Sequence, residues 1–276
     1  MIKSFSILPS ALLRPYVHHY WVMKSDGDDV SETIFPPACM KWVFHRGVPF
    51  AIDGDSDDSR QASLCVQYDR PVQVTSHRRL EMISVFFTPY ATRAVMQMPA
   101  ELLAGKLLDF DDVDDKELSA LKRRVHDADS TDEAIMLIDT FLQRRVLGIP
   151  QSPYIDQLAH VFDVMSANPQ AKIPMLAEKA CLCERQFRTI FSDNVGFSPK
   201  HMIRINRFKT ILNRLVTNPE VALEELVLET DLTDYSHLNK EFRHFAGMTP
   251  RQYLELLQAV KQNRLLGVYK SYYCTL

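Results

Sequence analysis

Long apolar segments are missing from this sequence of 276 residues. No uncharged apolar run approaches the roughly 18–20 residues that a transmembrane helix requires, so we expect no membrane partner. The first residues are not followed by the apolar region of about 7–15 residues that marks a signal peptide, which predicts a cytoplasmic protein. The five cysteines are an odd number, and they fit free thiols in a reducing compartment better than a disulfide framework.

Motifs of the common catalytic sites are also missing. The sequence has neither a Gly-x-Ser-x-Gly nucleophile elbow nor a Gly-x4-Gly-Lys phosphate loop. Cys181 and Cys183 lack a second Cys or His pair at zinc spacing, and the acidic segment from Asp53 lacks the Gly and Glu of a calcium loop. We therefore expect no metal, no cofactor and no enzymatic activity. The candidate metal ligands that remain are His18, His19, His45 and His77, of which the adjacent His18 and His19 are expected on opposite faces of a strand.

A surplus of positive charge is absent from the chain as a whole, whose net charge is −3. The charges are nevertheless unevenly distributed. Residues 179–214 carry 8 basic and 2 acidic side chains, a net charge of +6, whereas residues 215–255 carry 3 and 8, a net charge of −5. The basic block is either a surface for a polyanion or a solvated helix face.

Residues 1–110 are predicted to form a small antiparallel β-barrel or jelly roll, which would be cupin-like. Short β-branched and aromatic stretches such as Tyr16–Met23, Met40–His45 and Met82–Phe87 alternate with turn signals such as Asp53-Gly54. A barrel interior is either a plain core or an effector pocket. Both interpretations stay open for the aromatic side chains expected inside, which are Trp21, Phe35, Trp42, Phe44 and Phe86.

Residues 111–149 are predicted to be helical. The stripe formed by Leu118, Leu121 and Val125 recurs at helical spacing, and it either covers the barrel or forms a relay or dimerisation surface. Gly148 to Pro153 contains Gly and two Pro and is typical of a linker. Residues 258–276 are assigned to a C-terminal tail.

Residues 153–257 are predicted to be all helical, with an internal repeat. The pattern Phe187-x3-Phe191-x4-Gly196-Phe197-Ser198-Pro199 recurs as Leu238-x3-Phe242-x4-Gly247-Met248-Thr249-Pro250. Each copy predicts a helix that a glycine ends, followed by a new helix with Ser or Thr as its N-cap and Pro in its first turn. With a short helix upstream, each copy is a helix-turn-helix unit, at about 173–194 and 223–245, and the helix Pro199–Val216 joins them. The expected fold class is thus α+β.

This doubled arrangement resembles the DNA-binding domain of the AraC/XylS transcription regulators, and Arg14-Pro15-Tyr16 and Phe87-x-Pro89 loosely resemble their effector-type domains. The resemblance implies that promoter DNA, RNA polymerase and an unidentified small-molecule effector are partners, with a homodimer as an open option. By position, the implied base-contact residues are Glu184, Arg185, Arg188, Thr189, Tyr235, Ser236, Asn239 and Lys240. The side chains suited to phosphates are Lys200, Arg204 and Arg207.

Three positions depart from the family pattern. Cys181 and Asp231 occupy the turn position at which the family usually has Gly, and Cys183 occupies the N-cap position at which it usually has Ser or Thr. Because Asp tolerates the left-handed backbone better than most residues, the turn at Asp231 can still form. Because the second unit is acidic, we expect the first to supply most of the DNA affinity. Two alternatives stay open: a protein-interaction adaptor that has lost DNA binding, and a cupin-type enzyme that depends on His45 or His77.

Overall fold

Two antiparallel sheets form the N-terminal domain. The computed structural model describes residues 2–27, 30–53, 61–66, 69–76, 79–148 and 154–262. One sheet has six strands in the order β1-β2-β8-β4-β6-β9, and the other has three in the order β3-β7-β5. The strands are β1 (Lys3–Ile7), β2 (Val17–Ser25), β3 (Val30–Ile34), β4 (Met40–His45), β5 (Ala51–Ile52), β6 (Ala62–Val66), β7 (Val72–Ser76), β8 (Leu80–Phe87) and β9 (Lys106–Asp109).

The six-stranded sheet is buried on both faces, as strand β4 shows. Successive side chains of a strand point to opposite faces. Trp42 and Phe44 point to one face, where they pack against Phe110 at ring distances of 5.3 and 5.2 Å. Lys41 and His45 lie on the other face, which the three-stranded sheet covers.

The sheets do not close into a barrel, and this corrects the sequence-based expectation. Strands β1 and β9 are the edges of the six-stranded sheet, and each pairs with one neighbour only among the described strands. The described part of the domain is therefore an open pair of unequal sheets, and nothing in it establishes a cupin-like barrel.

Helices α1 (Thr92–Met96), α2 (Lys116–Asp127) and α3 (Thr131–Leu147) follow the sheet strands. The predicted stripe Leu118, Leu121 and Val125 is fully buried in the same cluster as Trp42. It covers the sheet, as the first of the two sequence interpretations has it. Asp115 caps α2 by accepting hydrogen bonds from the backbone N–H groups of Glu117 and Leu118 at 3.0 and 3.2 Å.

Asp139 anchors α3 to the sheet, and its loss is expected to destabilise the fold. Its carboxylate accepts hydrogen bonds from Tyr20 Oη and Gln143 Nε2, both at 2.7 Å. Burial alone would raise the pKa of Asp139, but these hydrogen bonds hold it below the usual value. We expect Asp139→Asn to lower the free energy of unfolding at pH 7 by about 1–3 kcal/mol, as for other charged hydrogen bonds. Urea unfolding measures this value.

The pH dependence of the same variant follows from the lowered pKa of Asp139. A carboxyl group with a depressed pKa stabilises the fold above its unfolded value of about 3.9 and loses that contribution as the pH falls through the folded value. The difference between wild type and Asp139→Asn should therefore shrink at pH 3. The exposed Asp127 serves as control, since Asp127→Asn should change little at either pH. A difference that stays constant between pH 7 and pH 3 would contradict the assignment.

The C-terminal domain is all helical. Its helices are α4 (Ile155–Ala167), α5 (Ile173–Lys179), α6 (Glu184–Val195), α7 (Pro199–Thr217), α8 (Leu223–Glu229), α9 (Tyr235–Ala246) and α10 (Pro250–Gln262). The first unit contains α5 and α6, the second contains α8 and α9, and α7 connects them. None of the helices in the described residues is long and apolar enough to cross a membrane.

The two domains share one hydrophobic core. Phe35, which follows β3, packs edge-on against Phe208 of α7 and Tyr253 of α10 at ring distances of 5.9 and 5.7 Å. Tyr90 of the N-terminal domain lies 5.9 Å from Phe162 of α4. Phe35 and Tyr90 belong to the cluster that fills the interior of the C-terminal domain. The C-terminal domain is thus packed directly against the sheets.

Candidate nucleic-acid interface

Both helix-turn-helix units turn through a left-handed residue that is not glycine. Cys181 and Asp231 each have φ of 54°, so these residues adopt the backbone that glycine usually supplies. The next helix has its N-cap at Cys183 in the first unit, after one intervening residue, and at Asp234 in the second unit, after two. The Asp234 carboxylate accepts the backbone N–H of His237 at 2.7 Å and so caps α9.

The predicted helix stops are confirmed in both units. Gly196 and Gly247 end α6 and α9 with φ of 98° and 73°, a region that side chains rarely adopt. The next helices begin at Pro199 and Pro250. Ser198 Oγ accepts the backbone N–H of His201 at 3.3 Å, and Thr249 Oγ1 accepts that of Gln252 at 3.2 Å.

The outer face of α6 is open to solvent. Phe187 and Phe191 are fully buried on its inner face, as their spacing predicts. The four predicted base-contact residues of this unit are all exposed on the outer face, namely Glu184, Arg185, Arg188 and Thr189. The Glu184 carboxylate pairs with Arg188 at 3.3 Å. Because both side chains are about half exposed, this ion pair is weak and leaves Arg188 able to reach another anion.

The outer face of α9 presents the second predicted set. Leu238 and Phe242 are fully buried, whereas Tyr235, Ser236 and Lys240 are exposed. Asn239 is half-buried, and its Nδ2 donates to the backbone oxygen of Tyr235 at 3.1 Å. Each set of four therefore lies on one helix face, as helical periodicity predicts.

Two of the three predicted phosphate contacts have intramolecular partners instead. Arg204 donates two hydrogen bonds to the Glu241 carboxylate, at 2.8 and 2.9 Å. Against the raising effect of burial, this guanidinium holds the pKa of Glu241 below its usual value. Arg207 Nε donates to the backbone oxygen of Pro169 at 3.2 Å, and its guanidinium lies 3.6 Å from the Asp231 carboxylate. These contacts brace α7, whereas Lys200 is exposed.

A basic surface on the second unit was missed by the sequence reasoning. It is lined by Tyr235, Ser236, Asn239, Lys240, Arg243, His244, Thr249 and Arg251, and we call it the α9 basic face. No Asp or Glu is among these described residues. The acidic groups Glu229, Asp231 and Glu241 pair with Arg214, Arg207 and Arg204 instead. The net charge of −5 for residues 215–255 averages over both sides of the unit and conceals this surface. The sequence did contain a signal for it, because Arg243 and Arg251 follow the predicted base-contact residues of α9.

Two cavities are lined in part by residues that were predicted to form an effector pocket. A small one of 60 Å³ lies between the sheets and is lined by Phe35, Lys41 and other residues. A larger one of 390 Å³ lies between the sheets and α7, and it is lined by Phe35 and Phe86. We call the larger one the seam cavity. Trp21 packs in the core between the sheets. Trp42 and Phe44 line neither cavity, because the alternation along β4 turns them toward α2 and α3.

The candidate metal ligands His18, His19 and His45 do not form a metal site among the described residues. Among the described residues, no three His, Cys, Asp or Glu side chains lie close enough to hold a metal ion. His18 and His19 are not separated onto opposite faces: the register against β8 shifts between Val17 and His19, and their Nδ1 atoms lie 2.8 Å apart. His77 and most of the acidic segment after Asp53 lie outside the described residues.

Comparison with known proteins separates the chain into two matched regions. Residues 5–109 match a family described as a domain of unknown function (DUF6597), and residues 176–256 match a helix-turn-helix domain family. A sequence comparison with curated proteins finds no match.

Among solved structures, the chain is similar to ToxT from Vibrio cholerae. One structure has a TM-score of 0.45 at 10% identity, over 92% of this chain and 97% of ToxT. A ToxT structure bound to (E)-4-(8-methylnaphthalen-1-yl)but-3-enoic acid has a TM-score of 0.43 at 10% identity, over 93% and 98%. A ToxT structure bound to an unsaturated fatty acid has a TM-score of 0.42 at 10% identity, over 92% and 94%.

The family match and the geometry coincide. Residues 176–256 enclose α6 through α9 with both left-handed turns, both glycine stops and the connecting helix. This family is a class of DNA-binding domains and not a class of enzymes. The chain therefore combines a DUF6597 domain at residues 5–109 with a helix-turn-helix domain of the AraC type at residues 176–256.

Proposed function

We propose that this protein is a sequence-specific, effector-controlled transcription regulator that binds promoter DNA with both of its helix-turn-helix units. The observation that carries this proposal is the pair of exposed faces on α6 and α9, each backed by a buried pair of apolar side chains. Arg pairs with guanine and Asn with adenine in the major groove. Arg185 and Arg188 on α6, and Asn239 on α9, are thus the residues with the strongest capacity for base recognition.

The N-terminal domain is proposed as the effector domain. Phe35 places this domain against α7 and α10 of the DNA-binding region, so a change in the sheets is transmitted by direct packing. An effector shifts DNA binding only if it binds the DNA-competent and DNA-incompetent states unequally. RNA polymerase is the proposed partner of the DNA-bound protein.

The adaptor alternative was based mainly on the acidic net charge of the second unit. This argument is weakened, because none of the described residues that line the α9 basic face is acidic.

Binding to the protein's own promoter tests the proposal. Fluorescence anisotropy with the DNA upstream of its gene should show a promoter-selective complex. Since Lys and Arg displace counterions from phosphates, the logarithm of the association constant should fall with the logarithm of salt, with a slope of about −0.9 per phosphate contact. Arg185→Ala should weaken selective binding by about 5- to 150-fold, the equivalent of one lost bidentate base contact of about 1–3 kcal/mol.

A matched variant controls for loss of one positive charge. Lys116 is exposed on α2, outside the interface, and Lys116→Ala should leave both affinity and selectivity unchanged. Equal affinity for promoter and unrelated DNA would refute sequence-specific recognition. Absence of DNA binding from low to physiological salt would favour the adaptor alternative.

A further inference from the structure

The N-terminal domain contacts α6 and α9 at equivalent positions of the internal repeat. Asp193 of α6 and His244 of α9 each lie three residues before the glycine that ends the helix, which is Gly196 or Gly247. In both units this polar residue and this glycine lie against the N-terminal domain. The two helices are therefore contacted at matching points, although the N-terminal segments that make the contacts differ.

The contact on the first unit is broad. Arg93 of α1 forms an ion pair with Asp193. The backbone of Gly196 lies so close to the N-terminal domain that an added β-carbon would be 3.1 Å from the Ala100 oxygen and 3.2 Å from the Ala104 β-carbon. Helix α1 and the turn that begins at Ala100 both pack against α6. The C-terminal end of α6 is thus fixed to the N-terminal domain by several contacts.

The contact on the second unit is narrow. Asp69 and Pro71, which lie directly before β7, both contact the C-terminal end of α9. The Asp69 carboxylate lies 3.9 Å from His244 Nε2, and a β-carbon added to Gly247 would lie 3.2 Å from Pro71 Cγ. Because the Asp69 and His244 side chains are both nearly half exposed, their electrostatic attraction is weak. This contact is therefore easier to release than the one on α6.

Helix α9 is thus held at two different points. Its inner face packs against α7, where the Phe242 ring lies 5.3 Å from the Phe208 ring. Its C-terminal end contacts Asp69 and Pro71 of the N-terminal domain. A helix held only by its inner face can rotate about that contact, whereas a second contact at its end restricts the rotation. The outer face of α9 is therefore oriented by the N-terminal domain as well as by α7.

We propose that Asp69, Pro71 and Arg93 are positioning residues that fix the spacing between the outer faces of α6 and α9, so that the protein selects DNA by the separation of two half-sites. This inference rests on the function proposed above. Half-sites on one side of the duplex are about 10–10.5 base pairs apart, so one inserted base pair rotates the second by about 35° and moves it by about 3.4 Å. A fixed pair of faces cannot follow this shift, whereas a pair with a mobile α9 can.

A series of half-site spacings measures this selectivity. Footprinting on the promoter fragment from the anisotropy assay locates both half-sites, and one base pair is then inserted or deleted between them. The wild type should lose at least about tenfold in affinity, comparable to the loss of one base contact. Asp69→Ala combined with Pro71→Gly should reduce this loss to about threefold or less. Each ratio compares two DNAs for one protein, so a change in net charge cancels.

Matched variants separate positioning from charge and from stability. Asp127→Ala removes an exposed carboxylate of α2 and should keep the spacing ratio of the wild type. Arg93→Asp should lower the ratio, because it places two carboxylates together at Asp193. Arg93→Asp combined with Asp193→Arg exchanges the two charges and should restore the ratio. A merely structural ion pair would change the melting temperature and leave the spacing ratio unchanged.

Pulsed electron spin resonance measures the separation of the two helices in the full chain without DNA. One nitroxide label is attached to the exposed Cys183 at the start of α6, and the other to the exposed position 236 of α9 in Ser236→Cys. The buried Cys39 is retained. The other thiols are removed by Cys65→Ser, Cys181→Gly and Cys274→Ser.

The distance distribution should be narrow in this labelled protein. It should become broader when Asp69→Ala and Pro71→Gly are added, because α9 is then held by its inner face alone. It should stay narrow when Asp127→Ala is added instead. Circular dichroism confirms that each labelled variant is folded.

The outcomes separate this inference from the function it rests on. An unchanged distance distribution in the variant at Asp69 and Pro71 would overturn the proposed positioning, whatever the protein does with DNA. A broader distribution with an unchanged spacing ratio would reject the role in DNA selection. Absence of a promoter-selective complex with the wild type would refute the proposed function, while the measured distances would still decide whether the N-terminal domain positions α9.

Discussion

Gly196→Ala is expected to destabilise the folded protein by about 2–6 kcal/mol. A β-carbon at this position would lie 3.1 Å from the backbone oxygen of Ala100 and 3.2 Å from the β-carbon of Ala104. Both neighbours belong to the N-terminal domain, and a backbone carbonyl cannot rotate away as a flexible side chain can. Overpacking of this kind costs about 1–3 kcal/mol, and the positive φ of Gly196 adds strain of about 1–3 kcal/mol.

Gly247→Ala is the matched control for this prediction. Gly247 occupies the equivalent helix stop of the second unit and also has a positive φ. Its added β-carbon would meet only Pro71 Cγ, at 3.2 Å. Gly247 lies in the left-handed region, with φ of 73°, whereas Gly196 lies outside it, with φ of 98°. The difference between their free energies of unfolding in urea therefore measures the contact between α6 and the N-terminal domain together with the additional backbone strain at Gly196. Equal destabilisation by both substitutions would show that this contact contributes nothing.

Neutralising the α9 basic face is expected to remove much of the electrostatic contribution to DNA binding. The triple variant Lys240→Ala, Arg243→Ala and Arg251→Ala removes three exposed cations. If each neutralises one phosphate, the slope of log association constant against log salt should become less negative by about 2.7, at about 0.9 per contact. Anisotropy titrations over a range of salt concentrations measure that slope directly.

A second triple variant separates position from net charge. Lys116, Arg123 and Arg124 are exposed on α2, and their replacement by alanine changes the net charge by the same three units. The salt slope should stay at the wild-type value in that variant. An unchanged slope in the α9 variant would instead support the expectation from the sequence that the first unit supplies most of the affinity.

The helix-turn-helix region could be predicted because its signals are local. Helix stops at Gly196 and Gly247, caps at Ser198 and Thr249, and the buried pairs on α6 and α9 are each encoded within a few residues. The left-handed turn at Asp231 was also accessible, since Asp tolerates this backbone better than most residues. The predicted barrel was wrong because closure depends on pairing between distant strands, and strand spacing alone does not distinguish a barrel from two sheets covered by helices.

The candidate binding residues also divide into those set by local sequence and those set by contacts between distant residues. The exposed faces of α6 and α9 follow from periodicity, and the structure places all eight predicted base-contact residues on them. The roles of Arg204 and Arg207 could not be predicted, because Glu241 is 37 residues from Arg204 and their pairing exists only after α7 and α9 pack. The seam cavity likewise depends on Phe35 meeting α7, which no local pattern encodes. A charge count over 215–255 concealed the α9 basic face because it mixed two sides of one unit.

The position of Phe35 has a consequence for modular engineering and for evolution. This ring lies in the interior of the C-terminal domain, beside Phe208 and Tyr253. A fragment restricted to the helices would leave an unfilled apolar gap there and would expose the surface that Phe35 covers. Exchange of DNA-binding regions among related regulators therefore requires the residue at position 35 and its partners to change together.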